Sequence, residues 1–515
     1  ADLFLMDDGA GGTIRKTTAA RIKTYTTPVL FNGGVTDVLM DASNFVDGLL
    51  IQTNSDGSAP GTGTLTNATG NIGIGKDTFA ALTVGDYNVF LGYNSGAALT
   101  TGNNNVAIGK GAGAAITEGA TIVAIGLDAL AAEDTDSDAV AIGANALKAN
   151  DQGGHNIAIG KDALKANVAG SRNVAIGWQA GMTQAHADSD DSVFIGYKAG
   201  HVANGPHTGS VMVGSNAGIA TTTGTYNTYV GYAAGSGNTE GLRNVAIGYG
   251  PLDVADTEND NIAIGYSALG GSVAGGEFNI CIGNYVGDGI TSGDSNTAIG
   301  HNCMTAGSLV GDFNVTVGRD SLASITDADS NVAVGYKAGL SIDTGDNNIC
   351  IGREAGETGS PGGNLTSNSN EIVIGDENIT EAHTQVDWTV ASDKRDKTDV
   401  TNLDLGLDFI NKLTPVTYKW DKRSKYIDKD DPSVDLNEVT TDGTHKEDWL
   451  DVGFLAQDVA AIEETYNYKI SDKTNLTTKL SKDGKQYSTS YTKFVPMLVK
   501  SIQELTARVK ELEDK

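Results

Sequence analysis

Between residues 71 and 375 the chain repeats a five-residue phrase close to Asn-Val-Ala-Ile-Gly, in which apolar residues take every second position. Val106 and Ile108 flank Ala107, and Val174 and Ile176 flank Ala175; this period of two predicts a short, half-buried strand. The phrase ends at eighteen glycines from Gly75 to Gly375, spaced by 17 residues in most steps, by 18 or 19 in a few, and by 23 in the last step from Gly352. A shorter phrase, such as Asp162-Ala163-Leu164 or Lys198-Ala199-Gly200, follows most of these glycines and predicts a second strand or a corner. Asn, Asp and Gly fill the connections, as turns require. A repeat of this length makes one circuit of two short strands and two turns, and circuits stack so that each strand bonds its copy one repeat away. Eighteen such circuits at ~4.8 Å each predict a rod of roughly 85 Å. Propeller blades of ~40 residues, or a horseshoe with a regular leucine ladder, do not fit this period.

Composition narrows the interior. The chain has 67 glycines in 515 residues, only 8 prolines, and 6% aromatic residues, so large side chains cannot fill a wide core. A roll this thin has little core of its own, and the expected remedy is to bury the small-residue face (Ala107, Ala175, Ala263, Thr316, Cys281) against two sister chains. Cys281 and Cys350 share the small central slot four circuits apart, roughly 19 Å at strand spacing, too far for a disulfide. They are read as alanine substitutes in that packed seam. The phrase resembles the head repeats of trimeric autotransporter adhesins and related phage fibre shafts. In those proteins each chain forms a β-roll and three chains pack around one axis.

Charge excludes some partners. With 35 basic and 65 acidic residues the net charge is −30, which argues against a phosphate-binding surface, so no nucleic acid is expected. The acidity is read as keeping an elongated particle soluble. Asp134-Thr135-Asp136-Ser137-Asp138, Asp188 to Asp191 and Asp327-Ala328-Asp329 lie between phrases and match neither known calcium-loop pattern, so they are read as solvated turn residues. Seven histidines are scattered, and no phosphate loop occurs. No cofactor and no metal site is expected. Residues 1 to 12 carry neither a basic region nor an apolar one, and no stretch approaches a membrane span, so synthesis in the host cytoplasm without a secretion signal is the expectation.

After Gly375 the phrase stops and charges become denser, which places a linker over residues 376–391. Trp388-Thr389-Val390-Ala391-Ser392-Asp393-Lys394-Arg395-Asp396-Lys397 then resembles the cleavage junction of the endosialidase-type intramolecular chaperone, a C-terminal module of phage tailspikes and fibres. Ile410, Leu413, Pro415, Val416 and Tyr418 extend the likeness, as do Gly453-Phe454-Leu455-Ala456-Gln457-Asp458-Val459 and Tyr491, so that it covers about 392–515. The resemblance implies a module that trimerises, templates folding of the preceding β-structure and is released by autoproteolysis. It makes Ser392 the nucleophile, Lys397 its general base and Ala391–Ser392 the scissile bond, with Asp393 and Arg395 holding the loop. A lysine can serve a serine hydroxyl in this way if desolvation or a nearby cation favours the neutral amine. The activity implied is that of a self-cleaving serine peptidase with a Ser-Lys dyad, with no turnover of an external substrate.

The last helix is readable from its own spacing. Val495, Leu498, Ile502, Leu505, Val509 and Leu512 alternate three- and four-residue steps, an a/d seam for a coiled coil over about 491–513. Pro496 falls in the first turn, where proline is tolerated. Residues 1–70 lack the repeat but carry strand-like runs at Thr36 to Met40 and Gly48 to Thr53.

The expected fold is mainly β: an elongated trimeric β-roll or β-solenoid shaft over 71–375, then a small α+β chaperone domain ending in a coiled-coil helix. The expected function is that of a bacteriophage tail fibre subunit, a homotrimeric virion component for host adhesion. Residues 1–70 would attach to a tail or baseplate protein, and a host glycan or outer-membrane protein would be the receptor. The competing readings are a tailspike enzyme that degrades surface polysaccharide, a fibre that keeps its chaperone uncut, and a bacterial surface adhesin.

Overall fold

A computed structural model describes residues 3–7, 14–18, 38–42, 44–52 and 60–515, apart from 133–134, 136, 185, 187–188, 203–204, 206, 272, 386–387 and 429–434. Thr36, Asp37, Thr53, Asp134, Asp136 and Asp188, named above, lie outside the described residues. The chain divides into two compact units, residues 1–292 and 293–515. Among the described residues no helix is long and apolar enough to cross a membrane.

In the first unit, β1 (Leu3–Asp7) and β2 (Ile14–Thr18) form an antiparallel pair, as do β3 (Val38–Ala42) and β4 (Phe45–Ile51). β4 then pairs in parallel with β5 (Ala68–Thr69) and β6 (Ile72–Ile74), so the parallel ladder begins earlier than the repeat itself. From β6 the ladder runs through eleven three-residue strands, β7 (Val89–Leu91) to β17 (Ile262–Ile264), to β18 (Ile280–Asn284). The second unit continues the pattern from β19 (Thr297–His301) and β20 (Val315–Arg319) to β23 (Ile372–Ile374). The chain is therefore a mainly β protein built on a parallel β-solenoid. Register is strict: Val140, Ala141 and Ile142 lie opposite Ile157, Ala158 and Ile159.

Each coil holds one strand where two were expected. The second phrase folds as a run of tight turns, and these turns form their own ladder: Leu130 N donates to Ala146 O at 2.9 Å, and Leu147 N to Ala163 O at 3.0 Å. Positive φ at Asp128, Leu130, Asn145 and Leu147 curls the backbone too tightly for a strand.

The facing of the strand also differs from expectation. Ala107, Ala124, Ala141, Ala158 and Ala175 are fully buried, as are Cys281 and Cys350, so the small slot is the coil's own core rather than a seam with sister chains. The flanking Val and Ile turn outward and stay half exposed, with Ile74 at 43% and Ile351 at 44%. Tyr232, Tyr249 and Tyr266, one residue past their corner glycines, stack outside with ring centroids 4.9 and 5.1 Å apart. The thiol of Cys350 is pushed up to about 12, first by burial and then by the charge of Glu357. All three cysteines are buried and none is in a disulfide.

Two side-chain ladders tie coil to coil. The phrase asparagine is wholly buried, and its Oδ1 accepts the backbone N–H of the asparagine one coil later: Asn88 from Asn105 at 3.0 Å, Asn244 from Asn261 at 2.9 Å, and Asn314 from Asn331 at 3.0 Å. Acidic turn residues do the converse, since Asp86 Oδ1 accepts from Thr69 N at 2.7 Å and Asp329 Oδ1 from Asp312 N at 2.7 Å. The Asp190–Asp191 pair similarly holds Arg172, one coil earlier, at 3.1 and 2.6 Å. Turn carboxylates thus staple coils together, and charge-assisted bonds of this kind are stronger than neutral ones.

The corner glycine is dictated by contact. Gly160 has φ +137°, and a Cβ there would lie 2.4 Å from Gly177 O. Gly154, in the same coil, meets nothing nearer than Ser137 O at 3.8 Å. Gly160→Ala is therefore expected to destabilise its coils by about 3 kcal/mol or more, and Gly154→Ala by about 0.5 kcal/mol or less. Hydrogen exchange of the amides in 140–142 and 157–159 checks this, because stacked coils open locally.

His207 stands seven residues before its corner glycine, a slot that is Gly153, Gly170, Gly224 and Gly241 in other coils. It is buried, with Nε2 3.1 Å from Thr222 O, and burial pushes its pKa down to about 4. Below its ordinary value near 6.5 only the unfolded chain binds this proton, so stability falls as the pH drops from 6.5 and levels off below about 4. The loss amounts to about 3 kcal/mol. Thermal melts across this window should show His207→Gly lacking that part of the decline, and equal slopes would refute it.

Candidate functional site

The C-terminal module begins as extended, exposed backbone, with Trp388 at 80% and Val390 at 82% exposure before Ala391. Asp393 caps a 3-10 turn over Lys394–Asp396, its carboxylate accepting Arg395 N at 2.9 Å. The Arg395 guanidinium returns to the same carboxylate at 3.1 and 2.7 Å and holds it below the usual carboxylate range, with help from that backbone N–H. Lys397 closes the turn, its N–H donating to Lys394 O at 3.3 Å. The turn folds Lys397 back on the serine, and Lys397 Nζ donates to Ser392 Oγ at 2.5 Å.

The structure thus brings together Ser392 with Lys397 and Asp393 with Arg395, with Ala391 next to the serine. The short Nζ–Oγ approach is the geometry a proton transfer needs, and the same separation serves the reverse direction once the amine is neutral. Ser392 and Lys397 are both exposed in the single chain.

Behind the turn lies the module's core. α1 (Leu407–Ile410), α2 (Ala456–Thr465) and α3 (Phe494–Glu513) enclose Leu405, Phe409, Val459, Phe494 and Met497. Strands β24 (Val416–Tyr418) and β25 (Asp451–Gly453) form one antiparallel pair, and β26 (Thr478–Leu480) and β27 (Tyr487–Thr489) another. Gly453 is required by close approach, since a Cβ would meet Tyr491 Oη at 2.2 Å; that hydroxyl accepts Phe454 N at 3.1 Å. Tyr491 therefore ties the Gly-Phe-Leu-Ala-Gln phrase to the start of α3.

Residues 392–468 match the family described as Chaperone of endosialidase. The match opens on Ser392 and covers the first part of the module, a shorter span than the residue-level likeness. No curated protein and no solved structure matches the chain. The match supports a C-terminal chaperone role in folding and trimerisation, and together with the β-solenoid it supports a tailspike- or fibre-like protein.

The six expected seam residues of α3 lie in one exposed row, from Leu498 at 44% to Leu512 at 70%, while Phe494, Met497 and Ser501 in its first turns are buried. Glu504 also reaches back from α3, accepting Leu407 N at 2.8 Å and so capping α1.

Three groups escaped the sequence reading. Glu463 is buried in α2, and its carboxylate accepts Thr477 N and Thr477 Oγ1 at 2.7 and 2.8 Å, along with the Thr478 hydroxyl. Glu354, Asp376 and Glu377, all buried at the last coil, bring carboxylate oxygens within 4.8 Å of one another. Arg353 binds Glu354 at 2.9 Å, and Lys422 Nζ donates to Glu377 O. Glu357 beside them is pushed up to about 7, mainly by burial. The extra length between Gly352 and Gly375 was the one sequence signal that could have located the last two groups.

Proposed function

We propose that the chain is a homotrimeric phage tail fibre subunit whose solenoid carries host attachment, and whose C-terminal module drives trimerisation and folding before cutting itself off between Ala391 and Ser392. The observation that carries the cut is the Lys397 Nζ to Ser392 Oγ contact, set at the first residue of the family match. Neutral Lys397 takes the hydroxyl proton and Ser392 Oγ attacks the Ala391 carbonyl carbon. The acyl group then passes from the Ser392 nitrogen to its oxygen as the Lys397 ammonium returns that proton to the departing nitrogen, and one water hydrolyses the ester. The products are a carboxylate at Ala391 and a free amine at Ser392.

Two exposed apolar surfaces support the trimer. One is the seam row of α3, and the other is the outward Val and Ile positions of the coils, surfaces that two further copies of the same chain would cover. An a/d seam of this length also permits two strands, so three rests on the family's chemistry. The N-terminal segment, residues 1–70, is assigned to a tail or baseplate protein because it lies at the other end of the sequence from the chaperone. The receptor is a host glycan or outer-membrane protein.

Expression of the full chain should give a fragment ending at Ala391 and a second beginning at Ser392, seen on denaturing gels and by mass spectrometry. Ser392→Ala and Lys397→Met should each slow the cut by ~10³-fold or more, since members of a dyad act as a unit. An intact wild-type chain that is nonetheless trimeric would remove the protease half of the reading. In the Ser392→Ala background, Ile502→Asp with Leu505→Asp should convert a trimer to a monomer in light scattering, and persistence of the trimer would show that α3 does not assemble it.

A further inference from the structure

The last step of the repeat is longer than the usual 17 residues by six, 23 in all, and the second unit uses that extra length for one purpose. Residues 356–363 turn out of the coil through four glycines with positive φ, Gly356, Gly359, Gly362 and Gly363. They run against the C-terminal module. A Cβ on Gly359 would sit 2.5 Å from Ser424 Cβ, and one on Gly363 would sit 2.8 Å from Asp483 Oδ1. Asn364 N donates to Asp483 Oδ2 at 3.3 Å, and Lys482 pairs with Glu371 at 3.2 Å.

A second contact adjoins the first, since a Cβ on Gly359 would also lie 3.2 Å from Glu377 Oε2. Lys422 Nζ donates to Glu377 O and also lies 3.5 Å from Glu447, whose side chain is almost wholly covered. Asp376, Glu377, Lys422 and Glu447 line one groove of about 850 Å³ with Trp420 and Trp449. Arg423 braces the two contacts from within the module, donating to Leu436 O at 2.8 Å and to Lys485 O at 2.7 Å. All of these partners lie beyond residue 391 on one side and before residue 378 on the other. None depends on the exposed segment that joins them.

We propose that the enlarged final coil, residues 352–377, is a docking seat for the C-terminal module, so that residues 392–515 remain bound as a separate chain after the 391–392 bond is cut. Release is then a second step, governed by the ion pair and charge-assisted hydrogen bonds that cleavage leaves untouched. The partner is this chain's own C-terminal fragment, and the biological sense of the proposal rests on the reading of Ala391–Ser392 as the natural cut. The seat also explains the irregular step: a regular 17-residue coil has no projecting turn to reach Ser424 and Asp483. Because close contacts at Gly359 and Gly363 leave no room for side chains, the seat is shaped for this surface rather than merely charged to attract it.

The test keeps cleavage and docking apart. In the full chain carrying Ser392→Ala, a recognition sequence for a specific protease is placed at the exposed stretch around His383. The protein is cut there and passed over a sizing column at low salt, with assembly state read by light scattering. The fragment is expected to co-elute with the solenoid, and to dissociate as salt approaches ~1 M, where the Debye length falls to about 3 Å. Lys422→Glu with Lys482→Glu and Asp483→Ala should weaken retention at least tenfold. Glu371→Lys should restore part of the retention lost in Lys482→Glu alone, a rescue that a misfolded variant could not show. Immediate loss of the wild-type fragment at low salt, or equal retention in the triple variant, would overturn the proposal. Because the cut is supplied from outside, a chain that never cleaves itself still answers the question.

Discussion

Everything in the solenoid follows from how closely successive coils approach at their glycine corners. At Gly160 and Gly335 the backbone of one coil lies where a side chain of the previous coil would begin, since an added Cβ would meet the next corner's carbonyl oxygen at 2.4 Å in both. That contact fixes the stacking distance and the direction in which each strand leaves its corner. With the coil so tight, the slot at the strand centre has room for Ala, and for Phe90, Phe194 or Tyr229 only where neighbouring positions are small, such as Gly73, Gly96, Gly200 and Gly235. Each coil closes its interior with a few small or medium side chains, such as Ala158, Ala163 and Leu164, which is why so few aromatic residues are needed.

A core this narrow cannot hold a coil by apolar burial alone, and the polar ladders supply the rest. The buried phrase asparagines would each cost free energy if left unpaired. Because each amide oxygen receives the next coil's N–H, the residue that would be a liability in an isolated coil becomes the link between two. The same logic governs the acidic turns, where Asp86, Asp312 and Asp329 each serve a backbone donor of the coil before. A chain with 65 acidic residues therefore uses part of its charge structurally.

The period, the strand within it and the corner glycines were legible in the sequence because each is a local constraint repeated many times. The facing of the strand was not. Alternation separates Ala107 from Val106 and Ile108 but does not say which side is inside, and apolar size points the wrong way where the inward slot holds Ala. Asn88 and Asn105 were legible only as the first residues of the phrase, because their amide bonds run to residues 17 positions away, partners that composition cannot supply. At the junction, Ser392 and Lys397 were legible as a motif because they are five residues apart. The Asn364–Asp483 contact spans 119 residues and left only the anomalous step as a trace.

These features bear on how a chaperone could template such a fold. A parallel ladder pays loop closure for every coil before any strand bond rewards it, so its first coil is the hardest to form. Once one coil stands, its strand edge, its asparagine oxygen and its corner glycine present the next with a complete set of partners. The coil in contact with the C-terminal module is the last in the chain, and its strand, Ile372–Ile374, pairs with only one neighbour among the described residues. A module that holds this coil in shape, through Asp483 and Lys422, supplies a ready first coil. On the proposed reading, folding then proceeds from residue 375 back toward the N-terminus, and the chaperone needs to touch one coil to order the rest.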